Sequence, residues 1–196
     1  MTPRAPSMAP ADRRDALVGV TLQLLREHGR DVTTRQIAEA AGIAEGTIFR
    51  VVACKEDLVD AAIARAFEPG DLVDRIEGID AALPLRERLV LLASIFQERV
   101  QATFALMQKV GLVRPPDHQH DSEAAEAWRT QVAALMTAVV GDDVERLDVP
   151  VDHFVHVLRL LCFAGSHQHI ADGRLLSPEE IVDTVLHGHL RTERRG

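Results

Sequence analysis

An all-α protein is the fold class that this 196-residue sequence predicts. Apolar residues recur at helical spacing along most of the chain, and no strand-like alternation of useful length interrupts them. Capping residues, Gly and Pro mark helix starts and stops at matching intervals. With 46% hydrophobic residues there is enough apolar side chain for a small head and one larger helical body. The expected organisation is a flexible arm over 1–12, an N-terminal three-helix helix-turn-helix domain over 13–67, and a second helical domain over 68–196.

The first helix carries Leu17, Val18, Val20, Thr21, Leu24 and Leu25 as an apolar stripe and ends at Gly29. Thr33 followed by Gln36 is a capping box, which satisfies two orphan backbone N–H groups reciprocally and starts the next helix at Thr34. Ile37, Ala38 and Ala41 share one face of it, and Gly42 supplies the left-handed residue that stops it. After a turn of three or four residues, a run from Glu45 to Val52 places Ile48 and Val52 inward and Glu45, Thr47 and Arg50 outward. Lys55 to Phe67 forms a further helix, with Leu58, Val59, Ala62, Ile63 and Phe67 inward.

Past Pro69-Gly70, a short segment through Ile79 carries Leu72, Ile76 and Ile79. Pro84 opens a long helix from Leu85 to Val110, whose broad apolar face includes Leu89, Leu92, Ile95, Val100 and Val110. Ser122, after the Pro115-Pro116 loop, starts a helix through Val140 bearing Val132, Leu135 and Val139. Two helices finish the chain, Val151 to Ala171 and Pro178 to about Arg191. Ser177 as N-cap, Pro178 at the first position and Glu180 at the third mark the second of these.

Residues 1–67 carry nine Lys and Arg against nine Asp and Glu, whereas residues 68–196 carry thirteen against twenty-one, so the net charge of −8 lies outside the head. A neutral head can still meet phosphates if its positive groups share a face, and an acidic remainder discourages nonspecific wrapping. Arg4, Arg13 and Arg14 lie in or just after the Pro-rich leading stretch, which reads equally well as a basic arm or a loose terminus. Two distant cysteines give no disulfide framework, and neither a signal peptide nor a long uncharged apolar run is seen. A soluble, cytoplasmic protein is expected, with no membrane partner. No nucleophile, base and orienting group recur at persuasive spacing, so no enzyme and no catalytic residue is expected.

Two short helices meeting at a glycine, the second with polar residues outward, are the layout that places a helix in a DNA groove. The same layout also occurs in ordinary helical hairpins packed for stability. The first helix ending in Glu-His-Gly, then Thr-Thr-Arg-Gln-Ile-Ala, Gly-Thr-Ile-Phe-Arg and Lys-Glu-Asp-Leu, over residues 14–63, resemble the tetracycline-repressor family of bacterial transcription regulators. The resemblance implies a regulator that binds a near-palindromic double-stranded DNA operator. Arg35 matches a guanine-reading position, and its fork suits O6 and N7. Glu45 matches a position facing base edges, where a carboxylate accepts from a cytosine amino group. Thr33, Thr47 and Lys55 match phosphate contacts, which position the domain without reading sequence. Thr34, Gly46, Phe49 and Arg50 complete the expected DNA-binding set. The sequence departs from the family pattern at Ala44, Phe49, Val51, Val52 and Cys54. Ala44 and Cys54 forgo good N-caps, at about 1 kcal/mol each. Phe49 and Val51 lack polar tips that elsewhere hold phosphates, so weak or narrowly tuned binding is expected, or a degenerate head on a protein-interaction module.

The resemblance further implies a body that binds a small, mostly apolar effector and pairs with its twin through the last two helices. Phe96, Phe104, Met107, Trp128 and Met136 combine bulk with adaptable sulfur surfaces and are the candidate effector contacts; core packing is the other reading of each. A homodimer is expected independently, since two heads about 34 Å apart are needed to read one face of a near-palindrome. Val155, Leu158, Cys162, Ile181, Val185 and Leu186 are candidate interface residues, or else close the monomer's core. Eight of nine histidines lie beyond residue 117. Only His153 and His156 have same-face metal spacing, which leaves a metal-responsive regulator as an alternative. No cofactor and no metal site is assigned.

Overall fold

Residues 9–114 and 123–189 are described in this computed structural model, and among them nine α-helices and no strand are found. The chain divides into two compact units, Met1–Glu68 with Ala105–Gln119, and Pro69–Phe104 with His120–Gly196. The head thus takes in the end of the long helix that begins at Leu85. Continuous periodicity along a single helix cannot reveal that change of allegiance.

In the head, α1 runs Pro10–His28, α2 Thr34–Ala41, α3 Glu45–Ile48 and α4 Lys55–Ala66. Helix α1 begins inside the stretch expected as an arm, because Pro10 at its first position sacrifices no helical hydrogen bond. The rest of that expected arm, residues 1–8, lies outside the described residues. Leu17, Leu25, Val32, Ile37, Ile48, Leu58 and Ala62 form the head's core, joined by Leu106 and Val110. Arg65 ties α4 to α1 through Asp15, donating to its carboxylate at 2.7 Å.

Helix α3 stops at Ile48, four residues short of the expected Val52. The Ile48 carbonyl accepts from both Val51 N (2.9 Å) and Val52 N (3.1 Å), and the chain leaves the helix in a turn. Two consecutive β-branched residues lose rotamer freedom in a helix and do little to prolong it. Val52 is nevertheless buried, as its periodicity indicated.

In the body, α5 runs Leu72–Glu77, α6 Leu85–Lys109, α7 Glu123–Val140, α8 Val151–Gly165 and α9 Pro178–His189. A 3-10 segment, Gly141–Arg146, follows α7. Leu89, Leu92, Phe96, Met136, Phe154, Leu158 and Ile181 share one core. Buried Arg88 donates to the Val139 carbonyl at 2.7 Å and pairs with Asp143, so a cation satisfies carbonyls that the end of α7 leaves without helical partners. Helix α6 is long and apolar enough by length and composition to cross a membrane, although Glu98 and Arg99 interrupt its apolar run. Its Leu89, Leu92 and Ala93 are fully buried in the body's own core instead.

Helix α8 ends at Gly165 rather than Ala171. A Cβ at Gly165 would lie 3.0 Å from the Leu176 side chain, and the Gly165 carbonyl accepts from Leu176 N at 3.0 Å. The returning chain therefore takes the carbonyl that the N–H of His169 would need if the helix continued.

Gly29 separates α1 from the turn before α2. It holds φ 62°, ψ −150°, a region essentially restricted to glycine, and a Cβ there would lie 2.5 Å from the Lys109 carbonyl oxygen. Gly42 is left-handed too, at φ 68°, but has nothing within 4 Å of such a Cβ. Gly29→Ala is expected to lower stability by roughly 2 kcal/mol or more and Gly42→Ala by about 1 kcal/mol, compared by urea denaturation. Equal losses would show that the close approach to Lys109 has no energetic weight.

Candidate nucleic-acid interface

The capping box starts α2 as its sequence indicates. Thr33 Oγ1 accepts from Gln36 N at 3.2 Å, while Thr33 N donates to Gln36 Oε1 at 2.9 Å. At the other end Gly42 is left-handed, and Ile43 N reaches back to the Ala38 carbonyl at 3.0 Å, closing the helix with a glycine cap. Ile37 and Ile48 are fully buried, so the opposite faces of α2 and α3 look outward.

Thr34 Oγ1 donates to Glu45 Oε1, fastening the start of α2 to the start of α3. Arg35 is exposed, and its Nε donates to Glu39 Oε1 at 2.8 Å. That bond, then the Glu39 charge and more weakly the Glu45 charge, hold the guanidinium pKa above its ordinary value against a small desolvation. Gly46, Phe49 and Arg50 are exposed, Phe49 by 53%, and Thr47 is half-buried. Lys55 is half-buried too: its Nζ donates to the Val32 carbonyl at 3.2 Å, which keeps the cation beside the entry to α2. Ala44 gives α3 no side-chain cap. At α4, the Asp57 carboxylate accepts from the N–H groups of Ala53 and Cys54, both at 3.2 Å, and this makes up for the poor capping residue.

Residues 17–62 match the model of the bacterial regulatory proteins, tetR family. The similarity to that family lies in the head, which holds all of the matched residues. Over 73 residues it is 36% identical to YvkB, an uncharacterised HTH-type transcriptional regulator of Bacillus subtilis (strain 168). That match covers 36% of this chain and 38% of the relative's length. The whole fold is similar to solved structures. A TetR transcription regulator from Haloarcula marismortui ATCC 43049 superposes with TM-score 0.58 at 21% identity, over 92% of this chain and 100% of that one. A tetR-family transcriptional regulator from Streptomyces coelicolor gives 0.56 at 24% identity, over 92% and 80%.

Away from the head, the body candidates separate. Phe96 and Met136 are buried in the body core, and half-buried Trp128 packs against it. Phe104 meets Phe163 and His167 edge-on, with ring centroids 5.1 and 4.3 Å apart. Met107 belongs to the head unit, so the five do not form one group within the body.

Val155, Leu158, Cys162, Ile181, Val185 and Leu186, read from sequence as interface candidates or core, are all buried inside the body's own core. The apolar side chains that α8 leaves outside are Leu160, 50% exposed, and Phe163, 46% exposed. The sequence leaves both readings open because α8 carries apolar residues on nearly every face, and periodicity alone does not say which face the body takes. His153 and His156 are exposed, and among the described residues no three His, Cys, Asp or Glu converge to hold a metal ion. Glu39, which holds Arg35, is not among the residues expected from the sequence. Its i,i+4 relation to Arg35 was the available signal.

Burial pushes the Cys162 thiol up to about 12, while Cys54 is only half-buried. Since the thiolate is the reactive form, iodoacetamide at pH 8 is expected to alkylate Cys54 and spare Cys162 in native protein, and to modify both in denaturant. Mass spectrometry of the two samples checks this; native labelling of Cys162 would contradict its placement.

Proposed function

We propose that this chain is a sequence-specific, DNA-binding transcription regulator rather than an enzyme, working in the cytoplasm as a homodimer. The supporting observation is the α2–turn–α3 unit, with Ile37 and Ile48 wholly buried and Arg35, Glu45, Gly46, Phe49 and Arg50 facing outward. In this reading Arg35 reads a guanine edge, Glu45 accepts from a cytosine amino group, and Thr33, Thr34, Thr47 and Lys55 locate the head on phosphates. Lys55 must share its charge with the Val32 carbonyl, so it acts as a fixed local charge near the α2 start.

The body takes a small, mostly apolar effector through residues such as Phe96, Phe104, Trp128 and Met136. For the effector to release the operator it must prefer the released conformation, because equal affinity for both conformations shifts nothing. Repression is the direction of control proposed, with the operator overlapping the promoter.

Selection of bound duplexes from random DNA is expected to return a near-palindromic site. Arg35→Ala is then expected to weaken binding by about 1–3 kcal/mol and to relax preference at a single guanine per half-site, read by competition against that base substituted. No enriched site would point instead to a head that has lost DNA binding, in keeping with Ala44, Phe49 and Val51.

For the dimer, Leu160 and Phe163 are the α8 side chains proposed to cross the interface. Replacing both with Glu is expected to halve the mass seen by sedimentation while leaving helical circular dichroism unchanged. An unchanged mass would place the interface elsewhere.

A further inference from the structure

Glu39 lies on α2 one turn beyond Arg35, and the proposed function gives it no task. An exposed i,i+4 ion pair contributes little to stability, so its value must be sought in geometry. The hydrogen bond engages Arg35 Nε, one of five N–H donors in a planar fork. It fixes the plane of the guanidinium and leaves the edge formed by the two terminal nitrogens for another acceptor. Bidentate reading of guanine O6 and N7 needs two coplanar N–H groups in a set orientation. A second carboxylate, Glu45, lies close enough to act on the Arg35 charge and is itself engaged by Thr34. The Glu39 carboxylate bonded to the cation opposes any pose in which Arg35 rests on the phosphate backbone, and the Glu45 charge adds weakly to that. A base edge carries no such formal charge.

Resting on the DNA-binding reading above, we propose that Glu39 is a positioning residue for base recognition. It holds Arg35 by Nε so that the terminal nitrogens meet a guanine edge, and with Glu45 it disfavours nonspecific seating on phosphate.

The test uses the full chain and the duplex selected by the unaltered protein. Affinity is measured for that duplex and for three versions substituted at the base pair that Arg35→Ala identifies, with unaltered protein, Glu39→Gln, Arg35→Ala and the double variant. Glu39→Gln is expected to cut discrimination at that one base pair by about tenfold and to strengthen binding to unrelated duplex. In the Arg35→Ala background it is expected to change discrimination no further. The inference is overturned if Glu39→Gln leaves discrimination at that base pair unaltered, or lowers it equally at every position, as a general loss of head structure would. If the unaltered protein selects no duplex, the DNA-binding reading falls and takes the inference with it. If a site is selected and only the Glu39 effect is missing, the inference alone falls.

Discussion

Burial of Ile37 and Ile48 in the head's core is the constraint on which the rest of the account depends. Each is fully enclosed, among Leu17, Leu25, Val32 and Leu58, and each lies on a very short helix. A four-residue helix has no stability of its own, since one turn barely repays helix nucleation. Tertiary burial therefore sets the rotation of α3 about its axis, and that rotation decides which side chains face outward. The capping box at Thr33 and the left-handed Gly42 fix where α2 starts and stops, and the Thr34–Glu45 bond sets the mouth of the pair.

The outward face that results is not a basic patch. Arg35 and Arg50 are exposed, but Glu39 and Glu45 lie among them and Lys55 is partly spent on a backbone carbonyl. A net-neutral head on an acidic body cannot rely on diffuse attraction to phosphate. Recognition built on such a face must come from a few directed contacts, so specificity rather than tightness is what this arrangement favours. In the role proposed for them, the carboxylates penalise the poses that carry no sequence information.

Local features of the chain were legible where local chemistry decides them. Thr33 with Gln36, Gly42, and Ser177 with Glu180 each declare a helix boundary through bonds between near neighbours, and each bond is present. What escaped was settled by residues far apart in sequence. Helix α8 stops at Gly165 because Leu176 returns against it, and the last turn of α6 joins the head because Leu106 and Val110 pack there. Apolar residues all round α8 concealed which side the body buries, so Leu158 and Cys162 lie inside whereas Leu160 and Phe163 lie outside. At the candidate interface, the outward set was readable from helical spacing. The partners that hold it, Glu39 on Arg35 and Val32 on Lys55, depend on side-chain reach that spacing does not specify.

The central claim is that the outer face of α2 and α3 is the surface that meets duplex DNA. Amide chemical-shift mapping of the labelled protein, titrated with the duplex it selects, tests this most directly. The largest perturbations are expected between Thr33 and Arg50, with Ile37 and Ile48 side-chain resonances little changed because they stay buried. Perturbations confined to the body, or spread evenly with none concentrated in that span, would contradict it.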